Sequence, residues 1–597
     1  MAGDPLKKGR YTKYSNKIGL YDTKNGNFIG NSPEVVLSFP FKDSVLEAGM
    51  TKEDAGREER FLNIEIDSKD IDTLEDPKVL TNFRYIDKDG EKELDRTSGI
   101  EFFDENGELK QNLLIKGNNL LALYTLREKL AGQVKLIYID PPFYFIDSKA
   151  TDSFRYNSNF KLSTWLTFMK NRLEAAYDLL KDDGIMMVHV GVEEQGYLNV
   201  LMDEVFGHEN MINHITMTTT EPTGFKAAGK NLVPTANNLF IYRKSTKGDI
   251  NKLYVKKGYD TAYNKVLVNK EEDYTKWTYK PIRQYVAEQL SKNISDISDD
   301  EVASWAIGHS DIVFQATAIT GGALNKRKDT VRKSVQEKDK FFKHPNDDID
   351  DFYILNGRKL SFFSNIFRNI DGEYVPSQIL TDVWSDISWT GIANEGGVTL
   401  NNGKKPEKLM RRVIELATNP GDIVMDYHAG SGTTLAVAHK MNRRWIGVEQ
   451  MDYIKDLTEK RLVNVINGDQ TGVSKIVGWN DGGSFVYFEL KKFNQEFIDR
   501  IMEAITIPEL EGIYEDMQKN AFLKFFFDKN EFEKDENFRS KNLDERKQLL
   551  VGILDENQFY LNLSEMGDSK YKVSNAERVL TEKFYQISED EVEDAEE

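Results

Sequence analysis

The chain has 597 residues, 39% hydrophobic side chains and a formal net charge of −20, enough for several domains. It has no cysteine and only seven scattered histidines, which excludes disulfides, thiol nucleophiles and thiolate metal sites and leaves little for a structural zinc site. No apolar run approaches the ~18 residues of a membrane span, and residues 1–8 lack the apolar core of a signal peptide, so no membrane association is expected and a cytoplasmic protein is.

Residues 1–105 are polar and read as an irregular arm with one short strand candidate at 35–41. Leu113-Leu114-Ile115 reads as a strand, Gly117-Asn118-Asn119 as a turn, and 120–130 as a helix with Leu120, Leu121, Tyr124 and Leu130 on one face. The apolar run Leu136-Ile137-Tyr138-Ile139 is a buried strand that ends on Asp140-Pro141-Pro142-Phe143. Two prolines make a rigid loop whose carbonyls stay free to accept hydrogen bonds. Asp140 adds a charged acceptor and Phe143 a flat apolar face. In 161–181, Trp165, Phe168, Met169, Leu173, Ala176, Leu179 and Leu180 recur at helical spacing, and Asp182-Asp183-Gly184 ends that helix. A strand at 185–190, a helix at 195–206 and a strand at 238–242 follow. This alternation predicts an α/β layer with a mostly parallel sheet.

The alternation lapses after Arg243 and resumes at Pro406, with a helix at 407–418 and a strand at 422–426. Ala429-Gly430-Ser431-Gly432-Thr433-Thr434 is a glycine turn leading into a helix to Lys440, and 445–449 is the next strand. One α/β domain split by an insertion accounts for this order. Past Ile466 lies a region rich in Phe, Glu and Lys with a strand at 484–490. Charge is uneven: residues 491–597 hold 27 acidic against 15 basic side chains and end in an acidic tail, whereas 241–350 hold 20 basic against 17 acidic. Total charge therefore does not decide against a polyanionic partner.

A strand, then Gly430-Ser431-Gly432, then a helix is the form of a nucleotide-cofactor loop, and Glu449 at the next strand end suits a ribose diol. NAD, FAD and S-adenosylmethionine sites share this form, and so does an ordinary tight turn. Ala436 and Val437 stand where a dinucleotide fingerprint would place its third glycine, and no Walker lysine follows Gly432. The amine of a base ring is a poor nucleophile because its lone pair is delocalised. Acceptors at Asp140 Oδ and the Pro141 carbonyl would turn that lone pair toward an electrophilic methyl, with Phe143 stacked on a base extruded from the duplex. Such catalysis is positioning and electrostatics, with no metal and no covalent intermediate. The plain alternative is a strand-ending Asp with a proline turn.

Asp140-Pro141-Pro142-Phe143 resembles the catalytic motif of amino-methyltransferases acting on DNA. Asp426-Tyr427-His428-Ala429-Gly430-Ser431-Gly432-Thr433-Thr434 resembles their S-adenosylmethionine motif, and the catalytic motif coming first is the permuted β-class order. Residues 36–47, 115–123, 163–173, 403–409 and 468–490 are similar to the modification (Mod) subunit of Type III restriction–modification systems. The resemblance implies a Rossmann-like, S-adenosylmethionine-dependent α/β methyltransferase core with an inserted α+β target-recognition domain and a C-terminal α+β domain. The implied boundaries are an N-terminal arm at 1–105, core halves at 106–243 and 391–466, target recognition at 244–390, and a dimerisation or partner domain with the acidic tail at 467–597. It further implies site-specific adenine N6-methylation of double-stranded DNA by base flipping, a homodimer, a helicase–nuclease (Res) partner and a bacterial cytoplasmic location.

Carried over by position, Asp140, Pro141, Pro142 and Phe143 would handle the target. Asn118, Asp140, Lys405, Asp426, Ala429, Gly430, Gly432, Thr433 and Glu449 would hold the cofactor. Asn118 stands where the family has Asp, and His428 where it has an apolar residue. Lys404, Lys405 and Pro406 resemble the segment that closes over the cofactor. Trp165 could wall the pocket or be a core aromatic. Lys326, Arg327, Lys328, Arg332 and Lys333 form a basic cluster suited to DNA phosphates, or a solvated helix face. Three rivals stay open: cytosine N4 methylation, a DNA-specificity scaffold with vestigial methylation, and an NAD-dependent enzyme.

Overall fold

A computed structural model describes residues 76–144, 162–219, 235–344, 352–400, 403–492, 495–520, 542–556 and 560–587, with short pieces at 21–22, 27–28 and 232. The strand candidate at 35–41, the stretch 36–47 and the acidic tail lie outside the described residues. The chain divides into two units, residues 252–381 and the remainder, so the insertion is narrower than the expected 244–390.

In the larger unit the continuous apolar runs become strands buried on both faces. An eleven-stranded sheet is built from β1 (Leu80–Asp87), β2 (Gly90–Glu93), β3 (Leu113–Lys116), β4 (Val134–Ile139), β5 (Leu180–Val190), β6 (Met211–Thr218), β7 (Ala236–Arg243), β8 (Val383–Trp384), β9 (Ile423–Asp426), β10 (Arg444–Glu449) and β11 (Phe485–Leu490). Its spatial order is β8-β6-β7-β5-β4-β9-β10-β3-β11-β1-β2. The six central strands from β5 to β11 run parallel, and antiparallel pairs flank them. Every residue of β4 and β9 is buried, as expected of parallel strands covered on both faces.

One helical layer holds α1 (Asn119–Leu130), α2 (Leu162–Leu179) and α3 (Gln195–Phe206). The other holds α4 (Glu407–Ala417), α5 (Thr433–Lys440) and α6 (Lys460–Ile466). Asn118 caps α1, its side chain accepting from Leu120 N at 3.0 Å. The core joins Leu120, Leu123, Leu126 and Leu130 of α1 to Trp165, Phe168, Met169 and Leu173 of α2 over Ile137 and Ile139.

Two terminal regions differ from expectation. The stretch read as an irregular arm supplies β1 and β2, because Leu80, Phe83 and Ile86 are buried where β1 pairs with β11. The region after residue 466 is not separate throughout: β11 lies inside the sheet, and α7 (Asn575–Tyr585) packs on β1. Tyr585 donates to the Lys78 carbonyl at 2.8 Å, and the Thr581 hydroxyl meets Leu80 N and O at 3.2 Å.

The unit of residues 252–381 is α+β, with a six-stranded antiparallel sheet, a three-stranded antiparallel sheet and four helices among its described residues. Val266, Val286, Val302, Val313 and Phe363 form its core.

Candidate active site

Four neighbouring parallel strands, β4, β9, β10 and β3, end along one line, and their C-terminal ends open on a single cleft. The chain order breaks between β4 and β9, the switch point at which open parallel sheets admit ligands. Asp140, Asp426 and Glu449 all line the cleft, with Ala429, Gly430, Thr433 and Lys405.

Asp426 ends β9 and is fully engaged. Its Oδ1 accepts the His428 N–H at 3.0 Å and its Oδ2 the Thr434 hydroxyl at 2.6 Å. Burial, reinforced by the charges of Asp140 and Glu449, pushes its carboxyl up to about 7. Glu449 is held likewise: Oε2 accepts Gly430 N–H at 2.8 Å, and Oε1 accepts Gln450 N–H at 2.9 Å and Met451 N–H at 3.0 Å. Burial raises its pKa against those donors.

The turn between them needs its glycines. Gly430 has φ +50°, and a side-chain carbon there would meet only the His428 carbonyl, at 3.7 Å. Gly432 has φ +73°, and a side-chain carbon would press on Thr458 Cγ2 at 3.1 Å. Thr433 starts α5 and accepts from Arg461 Nη1 at 2.7 Å. Arg461 also binds Glu407 at 2.8 Å, and Lys440 binds Glu407 at 3.0 Å and Asp469 at 2.8 Å. Arg461, Glu407 and Lys440 are all at least 99% buried. Burial works against the Glu407 charge, yet Arg461 and Lys440 hold its pKa below the ordinary value.

On the other side, Asp140 Oδ2 accepts from the Lys405 ammonium. Its Oδ1 is buried with no hydrogen-bond partner among the described residues. Burial raises the Asp140 pKa, and Lys405 offsets that only in part. Lys405 Nζ also lies 5.4 Å from the centre of the Phe143 ring. Its neighbour Lys404 turns away, donating to the carbonyls of Ala393, Glu395 and Val398 at 3.0, 2.6 and 2.7 Å. Trp165 is a core aromatic with a positioning bond: fully buried, it donates from Nε1 to the Pro142 carbonyl at 2.7 Å. That bond fixes the proline loop without using the Pro141 carbonyl.

Of the expected residues, Pro141, Phe143 and Gly432 belong to the two loops without lining the cleft, and Asn118 and Arg327 sit elsewhere. Asn118 does not line the cleft; its side chain caps α1 and its N–H donates to the Tyr560 hydroxyl at 2.9 Å. The next residue, Asn119, lines the cleft and donates to the Tyr427 carbonyl at 3.0 Å. In the smaller unit Lys326, Lys328, Arg332 and Lys333 are exposed, but Arg327 is turned inward, 8% exposed, with its guanidinium 4.1 Å from the Phe352 ring centre.

The sequence reading missed several neighbours of Phe143. His189 of β5 lies 6.0 Å from its ring, and Trp389 lies edge-on to His189 at 6.1 Å. The His189 Nδ1 meets the Tyr138 hydroxyl at 3.0 Å and its Nε2 meets Asn237 Nδ2 at 3.0 Å. Burial, with the Lys405 charge adding, pushes His189 well below its ordinary pKa, so it is a neutral imidazole. A histidine inside an otherwise apolar strand was a signal for it, and strand alternation was one for Tyr138, two residues from Asp140. No local signal marked Trp389 or Asn237. Among the described residues no cluster of His, Asp and Glu is arranged to hold a metal ion, and no helix is long and apolar enough to cross a membrane.

A DNA methylase family model matches residues 134–460, which include both motif loops. The "Probable type III restriction-modification enzyme HindVI Mod subunit" of Haemophilus influenzae is 33% identical over 96% of this chain and 88% of its own length. The type III EcoPI Mod subunit of Escherichia phage P1 is 25% identical, covering 68% of this chain and 70% of that one. Among solved structures, the PvuII cytosine-N4-specific DNA methyltransferase aligns at 12% identity with a TM-score of 0.30, over 62% of this chain and 95% of that one. That score is too low to bear on function.

Proposed function

The chain belongs to the DNA methylase family, among the Mod subunits of type III restriction–modification enzymes, and on that premise we propose that the cleft at Asp140 methylates the N6 amine of a flipped adenine with S-adenosyl-L-methionine as donor. The observation that carries this reading is the buried, unpartnered Asp140 Oδ1 beside Phe143, facing a cleft that Asp426 and Glu449 also line. Two buried carboxyls and the partly buried one of Asp140 meet one ammonium there, Lys405, among the described lining residues. Such a donor set fits a ligand that carries positive charge, as S-adenosyl-L-methionine does at its ammonium and sulfonium. Asp426, Ala429, Gly430 and Thr433 would hold its methionine side, and Glu449 its ribose. Leu400, Met451 and Tyr453 offer apolar contact to its base. When bound, the cofactor supplies an electrophilic methyl group.

The chain's own residues do the rest by placement. Asp140 Oδ1 and the Pro141 carbonyl accept the two amine hydrogens, so the nitrogen lone pair leaves conjugation and turns to the cofactor side. Phe143 stacks on the extruded ring. The raised pKa of Asp140 lets Oδ1 take the proton that the amine sheds, and Lys405 keeps the carboxylate charged until then.

Residues 252–381 serve as the target-recognition unit, with Lys326, Lys328, Arg332 and Lys333 on DNA phosphates and Arg327 as a structural residue. The same premise extends to a homodimer, to a helicase–nuclease (Res) partner and to a cytoplasmic location; the type III relatives are named as subunits. Light scattering on the purified chain and co-purification with the restriction subunit test the first two.

The direct test is nucleoside analysis of DNA treated with the purified protein. N6-methyladenine is expected from the wild type and none from Asp140→Ala. N4-methylcytosine without N6-methyladenine overturns the adenine reading, and transfer to neither base leaves only a specificity scaffold.

A further inference from the structure

A second carboxyl lies beside Phe143. Glu194 precedes α3 and is 1% exposed. Its Oε1 accepts the Gly191 N–H at 2.8 Å, which closes the turn from β5 into α3. Its Oε2 is buried with no hydrogen-bond partner among the described residues. A side-chain carbon at Gly191 would lie 3.2 Å from that oxygen and 3.4 Å from Phe143 Cδ2, so carboxyl and ring both pack closely against Gly191. The other polar groups beside it are committed: His189 to Tyr138 and Asn237, and the Gly191 carbonyl to Asn238 Nδ2 at 2.9 Å.

A turn needs one carboxyl oxygen, and leaving the second buried is unfavourable unless something binds it. Burial pushes the Glu194 carboxyl up to about 7, and the charges of Glu193 and Asp140 act in the same direction. The remaining titratable groups on that side are neutral His189, the Tyr138 hydroxyl bonded to it, whose pKa burial raises, and Lys405, which is spent on Asp140. Near neutrality the group therefore carries an O–H that can donate.

We propose that Glu194 reads the target base, its Oε2 hydroxyl donating to a ring nitrogen that flanks the exocyclic amine while Asp140 holds that amine. The inference rests on the adenine reading above. Adenine offers two such nitrogens, N1 on one side of the amine and N7 on the other, whereas cytosine offers only N3. A donor that meets N7 would distinguish the two bases.

The test uses the full-length protein and duplexes carrying its site, first identified by single-molecule methylome sequencing of DNA from cells expressing it. The target adenine is replaced by 1-deazaadenine or 7-deazaadenine, and methyl transfer is compared for wild type, Glu194→Gln and Glu194→Leu. Wild type is expected to lose about 10- to 100-fold in kcat/KM on one analogue, which identifies the nitrogen. Glu194→Gln keeps both an acceptor for Gly191 and a donor for the base, and it should show the same preference. Glu194→Leu should lose a similar factor on adenine and no longer distinguish that analogue, a coupling that a turn-closing role cannot produce. Wild-type activity should also fall as pH rises through about 7, where Glu194 loses its proton, and that limb should vanish in Glu194→Gln. An equal loss by Glu194→Leu on all three bases, or no loss, overturns the proposal. A wild type that methylates no adenine overturns the underlying reading instead, and this inference with it.

Discussion

The two halves of the cleft treat their carboxyl groups differently. On the cofactor side, both oxygens of Asp426 and of Glu449 accept from fixed donors of the same loop or strand end. On the side of Asp140, that residue and Glu194, which lies outside the cleft lining, each commit one oxygen and keep the other buried without a partner among the described residues. The first half is already built for its ligand. On the proposed reading the second is completed by its substrate, and the desolvation cost of its open oxygens is removed only when a donor arrives.

The largest expected effect separates the halves outright. Asp140→Ala should lower single-turnover methyl transfer by about 10³-fold while leaving S-adenosylhomocysteine affinity intact by calorimetry. A matching loss of cofactor affinity would mean that the halves do not work independently.

Next comes the scaffold under the cofactor half. Arg461→Met leaves Lys440 as the one cation shared by buried Glu407 and Asp469 and should cost about 3 kcal/mol in chemical denaturation, with weaker cofactor binding through Thr433. Glu407 is held below its ordinary pKa of 4.5, so its contribution is full above that value and is lost as pH falls through the lowered one. The gap between Arg461→Met and wild type should therefore narrow in acid.

A smaller effect tests the charge of the prebuilt half. Burial pushes the Asp426 carboxyl up to about 7, and a cationic ligand favours its ionised form. Cofactor affinity should rise as pH rises through 7 in the wild type and level off in Asp426→Asn, with about tenfold weaker binding at pH 8. Flat wild-type affinity across that window would remove the electrostatic part of the comparison.

The smallest effect concerns the recognition unit. Replacing Lys326, Lys328, Arg332 and Lys333 by Ala should flatten the salt dependence of DNA binding by about 0.9 for each phosphate that is no longer neutralised. Arg327→Ala should instead lower stability, because its guanidinium packs on Phe352.

Much of the cofactor half was legible because it is local. Asp426, Gly430, Gly432 and Glu449 sit within one strand–turn–helix–strand unit, and their glycines and carboxylates follow from backbone geometry over about 25 residues. The amine half was legible only at its proline loop. Lys405 meets Asp140 across 265 positions, and His189 with Glu194, Asn237 and Trp389 come from three other places in the chain. The N-terminal strand β1 was invisible for the same reason, since it finds its partner in β11 about 400 residues on, whereas β2 joins it through a local hairpin.

The sequence by itself determined the α/β alternation, the split core, the two motif loops and the family to which they belong. These rest on short-range terms: apolar periodicity, proline and glycine dihedrals, and strand ends that expose a carboxylate. Only the tertiary structure decided which side chain at each place faces the cleft. It put Asn119 there and gave Asn118 to a helix cap, sent Lys405 to Asp140 and Lys404 to the loop carbonyls, and folded Arg327 onto Phe352. Neighbours in sequence carry the same local signals, and they part company only when distant residues supply the partners that bury one and leave the other free to act.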